Sequence, residues 1–328
     1  MVANRVFVTR EVAREAIELL RREFEVDVWP DEGPPPYPVL VERARGCVGL
    51  LTNVTDRVDA ALMDATPGLK VIANNGVGYD NIDVAAASQR GIAVGNTPGI
   101  LTRTTADLAF ALILASARRI AELDREVRAG RWRLWHPLAY LGSDVHGKTL
   151  GVVGLGQIGM EVARRALGFD MRVLYSDTSA REDAERRYGL EQAPDLPALL
   201  RGSDFVSLHV PLTPQTRHLI GAAELAMMKP AAFLVNTSRG PVVDQRALYH
   251  ALRDRVIAGA ALDVMDPEPI PPDDPLLALP NVTITPHVGS GTYETRMKMA
   301  TMAAENIIAA VMGKPMPACV NAGAIGRR

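Results

Sequence analysis

Three glycines, Gly154, Gly156 and Gly159, form a G-x-G-x-x-G pattern that constrains the fold of this chain more than any other feature. By itself the triplet also fits an ordinary glycine-rich turn. Its flanks are more specific, because residues 148–153 form a short apolar run suited to a buried parallel strand and residues 160–169 carry apolar side chains on one helical face. A strand, a glycine turn and a helix in this order predict a Rossmann-like unit.

Each glycine has an expected role in such a unit. Gly154 permits a tight turn, Gly156 lets the backbone approach a pyrophosphate, and Gly159 lets the helix pack closely on the strand. Asp177 ends the second strand at about the 20-residue spacing expected of the acid that binds the adenosine ribose hydroxyls. Because a carboxylate there repels a 2′-phosphate, we expect NAD rather than NADP; an aspartate that caps a loop is the alternative.

Length and composition narrow the class of protein. A chain of 328 residues is too long for one ordinary core, and its net charge of −2 gives no basic surface for nucleic acid or an anionic membrane. The cysteines, Cys47 and Cys319, have no metal-ligand spacing, so we expect no metal site and a reducing compartment. With neither a signal-like N-terminus nor an apolar run of membrane length, we expect a soluble, cytoplasmic protein.

Strands and helices alternate along the whole chain, which predicts parallel sheets covered on both faces. One set runs to about residue 96, a long helix over 102–130 crosses to a second set, and the chain returns after about residue 288. We therefore expect an α/β fold of two Rossmann-like doubly wound parallel-sheet domains with a cleft between them. The expected domains are a substrate-binding (catalytic) domain, residues 1–100 plus 289–328, and an NAD-binding domain, residues 101–288. The buried stripe of the long helix is predicted to be Leu108, Ala111, Leu112 and Ala115.

Two loops carry further signals. Gly76 and Gly78 follow a predicted strand and, having no side chains, leave the backbone accessible. Their N–H groups could hold a small anion there. A glycine turn before a helix explains the two residues equally well. The 131–146 loop contains Trp132, Trp135 and Tyr140 and is too apolar to remain in water. We therefore expect it to pack on a second copy of the chain in a homodimer.

Arg239, Glu268 and His287 follow three strands of the second sheet, on the edge where open α/β sheets bind ligands. Taken singly, each of these residues also fits a purely structural role. Arg239 or Glu268 could be a solvent-exposed loop residue, and His287 could be a histidine whose hydrogen bonds are met within the fold. Together they suit hydride addition to a 2-keto acid. An arginine can clamp the carboxylate and polarise the carbonyl, while an imidazole beside a carboxylate can supply the proton.

These segments, with the glycine triplet upstream, resemble the signatures of the D-isomer-specific 2-hydroxyacid dehydrogenases. Two further stretches, Trp135-His-Pro and Gly168-Phe-Asp-Met-Arg-Val-Leu-Tyr, are most similar to the glyoxylate/hydroxypyruvate reductase branch. The similar stretches are Asn-Thr-Ser-Arg-Gly-Pro around Arg239, Asp-Pro-Glu-Pro around Glu268 and Thr-Pro-His-Val-Gly around His287. The resemblance implies that Arg239 binds the substrate, that His287 is the acid/base and that Glu268 orients it. It also implies that the N–H groups of Val77 and Gly78 help Arg239 and His287 to hold the substrate.

The resemblance further implies that Asp263 bonds the nicotinamide carboxamide and that the dimer forms through the cofactor domain and the 131–146 loop. Two departures concern specificity: Asp177-Thr178 stands where NADP-dependent members usually have an arginine, and Ala139 stands where some members have a tryptophan. The full expected cofactor set is Gly154, Leu155, Gly156, Gln157, Ile158, Gly159, Asp177, Pro211, Thr237, Ser238, Arg239, Asp263, His287 and Gly289.

The sequence therefore predicts an NAD(H)-dependent oxidoreductase that reduces a small 2-keto acid, such as glyoxylate or hydroxypyruvate, to the D-2-hydroxy acid. The alternative is an NAD-sensing, corepressor-like binding protein on the same fold, in which the dinucleotide sets the oligomeric state. The absence of basic extensions favours the enzyme.

Overall fold

The computed structural model describes residues 4–325, and the chain divides into two compact units after Leu101 and after Gly289. One unit contains Met1–Leu101 and Ser290–Arg328, and the other is Thr102–Gly289. The boundaries expected from the sequence, after residues 100 and 288, differ from these by one residue each.

The first unit starts with alternating strands and helices. They are β1 (Arg5–Val8), α1 (Arg14–Arg21), β2 (Glu25–Val28), α2 (Tyr37–Ala44), β3 (Cys47–Thr52), α3 (Ala60–Asp64), β4 (Val71–Asn74), α4 (Val84–Gln89) and β5 (Ala93–Gly95). The strands form one parallel sheet in the order β2-β1-β3-β4-β5.

The second unit contains the longer sheet. Its elements are α5 (Thr102–Ala117), α6 (Ile120–Arg128), β6 (Thr149–Val153), α7 (Gln157–Leu167), β7 (Arg172–Ser176), α8 (Glu182–Tyr188), β8 (Glu191–Gln192), α9 (Leu196–Gly202), β9 (Phe205–Leu208), α10 (Ala222–Met227), β10 (Phe233–Asn236), α11 (Gln245–Arg253), β11 (Gly259–Leu262) and β12 (Val282–Ile284), with 3₁₀ turns at Gly240–Val242 and Pro275–Ala278. All strands are parallel, in the order β12-β11-β10-β9-β6-β7-β8. The chain then completes the first unit with α12 (Tyr293–Val311) and α13 (Ala322–Ile325).

Both faces of each sheet are covered, which confirms the predicted doubly wound architecture. Along β10, Leu234 packs into the core on one face, while Phe233 and Val235 pack into the core on the other. In the first unit, one core lies against α2, α3 and α4, and the other lies against α1 and α12. Burial on both sides explains why central strands such as β4 and β10 are nearly continuous apolar runs rather than alternating ones.

The predicted single helix over 102–130 is wrong, because α5 ends at Ala117 and α6 begins at Ile120. Arg119, between them, has a φ of 55° in the left-handed region. The Ala117 carbonyl accepts a hydrogen bond from the Ser143 N–H at 2.8 Å. The N–H of a loop residue far along the chain therefore bonds to the carbonyl that would accept from the next helical turn if the helix continued.

Other helix boundaries and the buried face of α5 also differ in detail from the prediction. Ala111 of the predicted stripe is exposed, and the buried positions of α5 include Ala109, Phe110 and Ile113 instead. Helix α5 is apolar nearly all round, so periodicity could not select its buried face. The predicted helix over 11–24 is shorter, and α7 begins three residues before the predicted Met160. Over residues 4–325, no helix is both long and apolar enough to cross a membrane.

Candidate active site

The glycine-rich turn follows β6, which lies between β9 and β7 at the point where strand order reverses in the second unit. Gly154 has a φ of 90°, and a Cβ on this residue would lie 2.9 Å from the His209 carbonyl oxygen after β9. A Cβ on Gly159 would lie 2.1 Å from the Gly154 oxygen. Both close contacts agree with the predicted turn and the predicted close helix packing. The crevice at such a switch point is where open α/β sheets bind dinucleotides.

Asp177 follows β7 and contacts the glycine-rich turn directly. Its Oδ2 accepts a hydrogen bond from the Leu155 N–H at 2.8 Å, and the Thr178 hydroxyl donates to its Oδ1 at 3.2 Å. Arg181 Nη2 lies 3.5 Å from Oδ2. Burial alone would raise the pKa of Asp177, but these donors and the Arg181 charge lower it. The edge of the turn therefore presents a carboxylate with a half-exposed arginine beside it.

Asn236, at the end of β10, holds the loop that carries Arg239. Its buried side chain donates from Nδ2 to the Arg239 carbonyl at 2.9 Å and accepts at Oδ1 from the Ser238 N–H and hydroxyl, at 3.0 and 2.8 Å. Arg239 in turn donates from Nη1 to the Ser238 carbonyl at 2.9 Å. The Thr237 hydroxyl oxygen is buried, and no group in residues 4–325 bonds to it. An orphaned hydroxyl at this edge fits a polar cofactor that supplies its partner.

Asp263 follows β11 and is 1% exposed. Its Oδ1 accepts from the Thr285 hydroxyl at 2.6 Å and from the Val288 N–H at 2.8 Å, while Oδ2 accepts from the Gly289 N–H at 2.8 Å. The Asp263 carbonyl also accepts from the His287 N–H at 2.9 Å. Burial raises the pKa of Asp263, and the donors only partly offset this effect. Asp263 therefore holds the 285–289 loop, in which His287 has a left-handed φ of 53°.

Glu268 and His287 form a hydrogen-bonded pair, with Glu268 Oε2 2.8 Å from His287 Nδ1. The other carboxylate oxygen, Oε1, accepts from the Met265 N–H at 2.9 Å, so both oxygens of the carboxylate are held by hydrogen bonds. Burial alone would raise the pKa of Glu268, but the bond and charge of His287, the Met265 N–H and the Arg239 charge lower it. The pair can therefore orient an imidazole and stabilise its protonated form.

In the first unit, the turn after β4 has its carbonyl groups fixed by hydrogen bonds. The carbonyls of Gly76, Val77 and Gly78 each accept from one donor. These donors are Thr97 N, Asn96 Nδ2 and Asn74 Nδ2, at 3.0, 2.9 and 2.7 Å respectively. No acceptor within residues 4–325 pairs with the N–H groups of the three residues. Fixed carbonyls with unpaired N–H groups make a backbone site suited to a small anion.

The second unit thus brings together several residues that the sequence singled out. Glu268 lies against His287, Asp263 holds the His287 loop, and Leu155 contacts Asp177. Gly289 gives its N–H to Asp263, while the Pro211 carbonyl accepts from the Thr216 hydroxyl at 2.6 Å. Val77 and Gly78 belong to the first unit.

Sequence reasoning missed the anchor Asn236 and also His209, which touches the glycine-rich turn. Both stand at or directly after strand ends, so the rule that located Arg239 could have found them. Burial lowers the pKa of His209 to about 4, and its Nε2 lies 2.8 Å from the Ser207 hydroxyl. In the described part of the chain, no group of three or more His, Cys, Asp or Glu side chains is placed to hold a metal ion.

The residues of the second unit also match a known family model. Residues 110–289 match the model described as D-isomer specific 2-hydroxyacid dehydrogenase, NAD binding domain. This match covers nearly all of the unit that contains the glycine-rich turn, Arg239, Glu268 and His287.

Relatives are similar over nearly the whole chain. A glyoxylate reductase of Korarchaeum cryptofilum is 56% identical, with 97% of this chain and 96% of the relative covered. A glyoxylate reductase of Aeropyrum pernix is 50% identical, with 98% and 97% covered.

Solved structures are also similar to this chain over nearly its whole length. The TT0316 protein of Thermus thermophilus superposes with a TM-score of 0.91 at 48% identity, covering 96% of this chain and 99% of that one. An NADPH-dependent glyoxylate/hydroxypyruvate reductase of Sinorhizobium meliloti, in complex with NADP and malonate, superposes with a TM-score of 0.85 at 33% identity, covering 97% of each chain.

Removal of the imidazole should raise the pKa of Glu268. In His287→Ala the Glu268 carboxyl stays buried but loses the imidazole, its strongest partner. The charged carboxylate is then less stable relative to the protonated carboxyl, so the pKa rises. In the wild type, the lowered pKa means that the pair stabilises the fold at neutral pH and that this stabilisation disappears as the pH falls through the Glu268 pKa.

A ¹³C NMR titration of the Glu268 carboxyl measures this change. His218→Ala, which removes an imidazole outside the pair, should leave the titration unchanged. An unchanged Glu268 pKa in His287→Ala would contradict the coupling.

Proposed function

Because the chain belongs to the D-isomer-specific 2-hydroxyacid dehydrogenase family, we propose that it is an NAD(H)-dependent reductase of a small 2-keto acid such as glyoxylate or hydroxypyruvate. The product would be the D-2-hydroxy acid. The observation that carries the proposal is the Glu268–His287 pair, on the same sheet edge as Arg239 and the glycine-rich turn. The names of the relatives support the substrate class.

Substrate binding is assigned to Arg239, Val77 and Gly78. The planar guanidinium of Arg239 can bond both a carboxylate and a carbonyl oxygen, and it polarises the carbonyl for attack. The unpaired N–H groups of Val77 and Gly78 suit the substrate carboxylate, because they offer donors without a competing acceptor.

Proton transfer is assigned to His287. A nicotinamide cofactor held at the glycine-rich turn would supply the hydride that forms the new C–H bond. Since Nδ1 of His287 is held by Glu268, the imidazolium delivers its proton from Nε2 to the developing alkoxide oxygen, and the neutral imidazole remains. The Glu268 carboxylate, with its lowered pKa, stabilises the imidazolium before the transfer. Asp263 acts on the same step by holding the His287 loop.

The cofactor would lie along the glycine-rich turn, with Thr237 offering its orphaned hydroxyl. We propose NADH as the preferred form, because the Asp177 carboxylate would repel a 2′-phosphate. Arg181 moderates this repulsion, since its guanidinium lies 3.5 Å from the carboxylate. NADPH should therefore be a poor substrate rather than an excluded one.

The 131–146 loop supports the proposal of a homodimer. Trp132, Leu134, Trp135, Leu138 and Leu141 are each at least half exposed, and Trp135 is 79% exposed. Five large apolar side chains exposed within one short loop are typical of a subunit interface.

Steady-state oxidation of NADH at 340 nm, with glyoxylate, hydroxypyruvate, pyruvate and phenylpyruvate, tests the function. We expect rapid turnover with one or two of the smaller acids. Arg239→Ala and His287→Ala should each lower kcat/KM on the order of 10²-fold or more, while NADH binding survives. Normal turnover in either variant would remove its assigned role. Tight NADH binding without turnover of any acid would favour the NAD-sensing alternative.

Replacement of Asp177 should reduce cofactor discrimination. In Asp177→Ala the NADH/NADPH ratio of kcat/KM should fall by at least about tenfold, because the repulsive carboxylate is gone and Arg181 remains. Arg181→Ala should change the ratio in the opposite direction. Asp183→Ala, which removes a fully exposed carboxylate nearby in the chain, is the matched control. An unchanged ratio in Asp177→Ala would mean that another residue reads the ribose.

Sedimentation velocity tests the dimer. The wild type should sediment as a dimer, and Trp135→Glu combined with Leu138→Glu should shift it toward the monomer, because charges cannot be buried in an apolar interface without cost. Tyr293→Glu, at an exposed aromatic position in the other unit, is the control. A wild-type monomer at micromolar concentration would contradict the proposal.

A further inference from the structure

Glu268 lies in a loop that can form few hydrogen bonds of its own. The loop joins β11 to the 3₁₀ turn at Pro275–Ala278, and four of its residues from Asp266 to Asp274 are prolines. Proline has no backbone N–H group, so a proline-rich loop has few donors for bonds within itself. In the described structure, one backbone bond closes within this stretch, from the Asp274 N–H to the Pro271 carbonyl at 3.0 Å. The groups that hold this loop from outside therefore bear directly on the position of Glu268.

Gln245, the first residue of α11, holds the loop at both of its ends. Its Oε1 accepts a hydrogen bond from the Asp266 N–H at 3.0 Å, and its Nε2 donates to Asp274 Oδ2 at 2.9 Å. These partners fix the orientation of the amide, because a backbone N–H can only donate and a carboxylate can only accept. Asp274 uses its other oxygen to accept from the Leu276 N–H at 2.9 Å. One side chain thus spans the loop that carries Glu268.

Gln245 itself stands on a well-held part of the second unit. The preceding residue, Asp244, caps α11 by accepting from the Ala247 N–H at 3.0 Å. The Asp244 N–H donates to the Ile220 carbonyl at 2.9 Å, and Val243, one residue earlier, is buried in the core. The amide of Gln245 therefore extends from a fixed backbone toward the loop.

The segment that leads from Arg239 to Gln245 touches the same loop a second time. A Cβ on Gly240 would lie 1.8 Å from the Met265 carbonyl oxygen, so the two backbones are in close contact. The Met265 N–H is the group that bonds to Glu268 Oε1 at 2.9 Å. The backbone beside Arg239 thus packs on the residue that holds Glu268, and Gln245 holds the residue that follows it.

We propose that Gln245 is a positioning residue for the acid/base pair, because it keeps the Glu268 carboxylate against His287 Nδ1 by holding the loop. The inference rests on the proposed function, since it assigns Gln245 to the proton-transfer step. Without the amide, one end of the loop is released and the carboxylate can move away from the imidazole. Arg239 keeps its own anchor, Asn236, in that case. Proton transfer should therefore be impaired more than substrate binding.

Other charged groups near the loop do not replace this contact. Arg217 Nη2 lies 3.7 Å from the Asp266 carboxylate, and both side chains are more than a third exposed. A surface ion pair of this kind contributes little. Arg239 and Asp263 act on the acid/base pair through their charges, and both are retained in every variant below.

Gln245→Leu removes both hydrogen bonds without adding a charge. With NADH and glyoxylate or hydroxypyruvate, kcat should fall at least about fivefold, while KM for the keto acid changes less than about twofold. The alkaline limb of the kcat profile should move to lower pH, because the imidazolium loses part of its stabilisation by Glu268 and gives up its proton more readily. Arg246→Leu, at the next and exposed position of α11, is the matched control and should behave as the wild type.

An exchange of partners tests the hydrogen bonds themselves. Gln245→Glu places a carboxylate against that of Asp274, and Asp274→Asn leaves one oxygen for two donors, so each single change should lower kcat. In the double variant, the carboxylate at position 245 can accept from both the Asp266 N–H and the amide at position 274. The amide oxygen at position 274 can still accept from the Leu276 N–H. The kcat of the double variant should return to within about twofold of the wild-type value.

A ¹³C NMR titration of the Glu268 carboxyl gives a measurement that needs no turnover. Burial alone would raise the pKa of this carboxyl, and the bond and charge of His287 help to lower it. The pKa should therefore rise in Gln245→Leu, as the carboxylate moves away from the imidazole, and stay unchanged in Arg246→Leu.

Two results would overturn the positioning role. One is a lower Tm of Gln245→Leu with unchanged kcat, alkaline limb and Glu268 pKa, which would mean that the amide only stabilises the loop. The other is a double variant that is no more active than either single variant. If Gln245→Leu does not fold, the exchange of partners and the same titration decide. If the wild type reduces no keto acid, the proposed function fails, and the titration decides separately whether Gln245 places the carboxylate.

Discussion

The hydrogen bonds that the Asp263 carboxylate accepts from Thr285, Val288 and Gly289 are the constraint on which the geometry of the candidate site depends. They tie the end of β11 to the loop after β12, and this loop holds His287 in a left-handed conformation. Burial makes the Asp263 carboxylate costly, as its raised pKa indicates, and the loop N–H groups offset part of that cost. The position of the imidazole against Glu268 therefore follows from a buried charge that must be satisfied.

Polar side chains also hold loops through hydrogen bonds at other strand ends. Asn236, at the end of β10, holds the Arg239 loop, and Asn74, at the end of β4, fixes the Gly78 carbonyl. Asp177, directly after β7, holds the glycine-rich turn that follows β6. Where parallel strands end, the backbone loses its ladder partners, and buried side chains replace them. Polar residues at this edge thus include two kinds, those that hold loops and those that face ligands. In the proposed enzyme Asp177 combines these roles, whereas Asp263 and Asn236 hold their loops.

Short-range patterns predicted much of the fold and of the site. The glycine triplet predicted the turn after β6, and the polar residues after β10 and β12 located Arg239 and His287 within their loops. The break between α5 and α6 could not be predicted, because the N–H group that takes the Ala117 carbonyl comes from Ser143, far along the chain. Nor could the sequence reveal that Asn53 and Asn75 bond to each other, since β3 and β4 bring them together.

Local propensity and apolar periodicity were enough to predict the class of fold, the order of most strands and helices, and the residue types that chemistry requires. Which polar groups pair with one another follows from the folded structure alone. It placed Glu268 against His287, occupied Asp263 with the 285–289 loop, and left Asn75 Oδ1 without a donor. The physical reason is that a hydrogen bond depends on distance and direction in space, and parallel strands bring together residues that lie far apart along the chain.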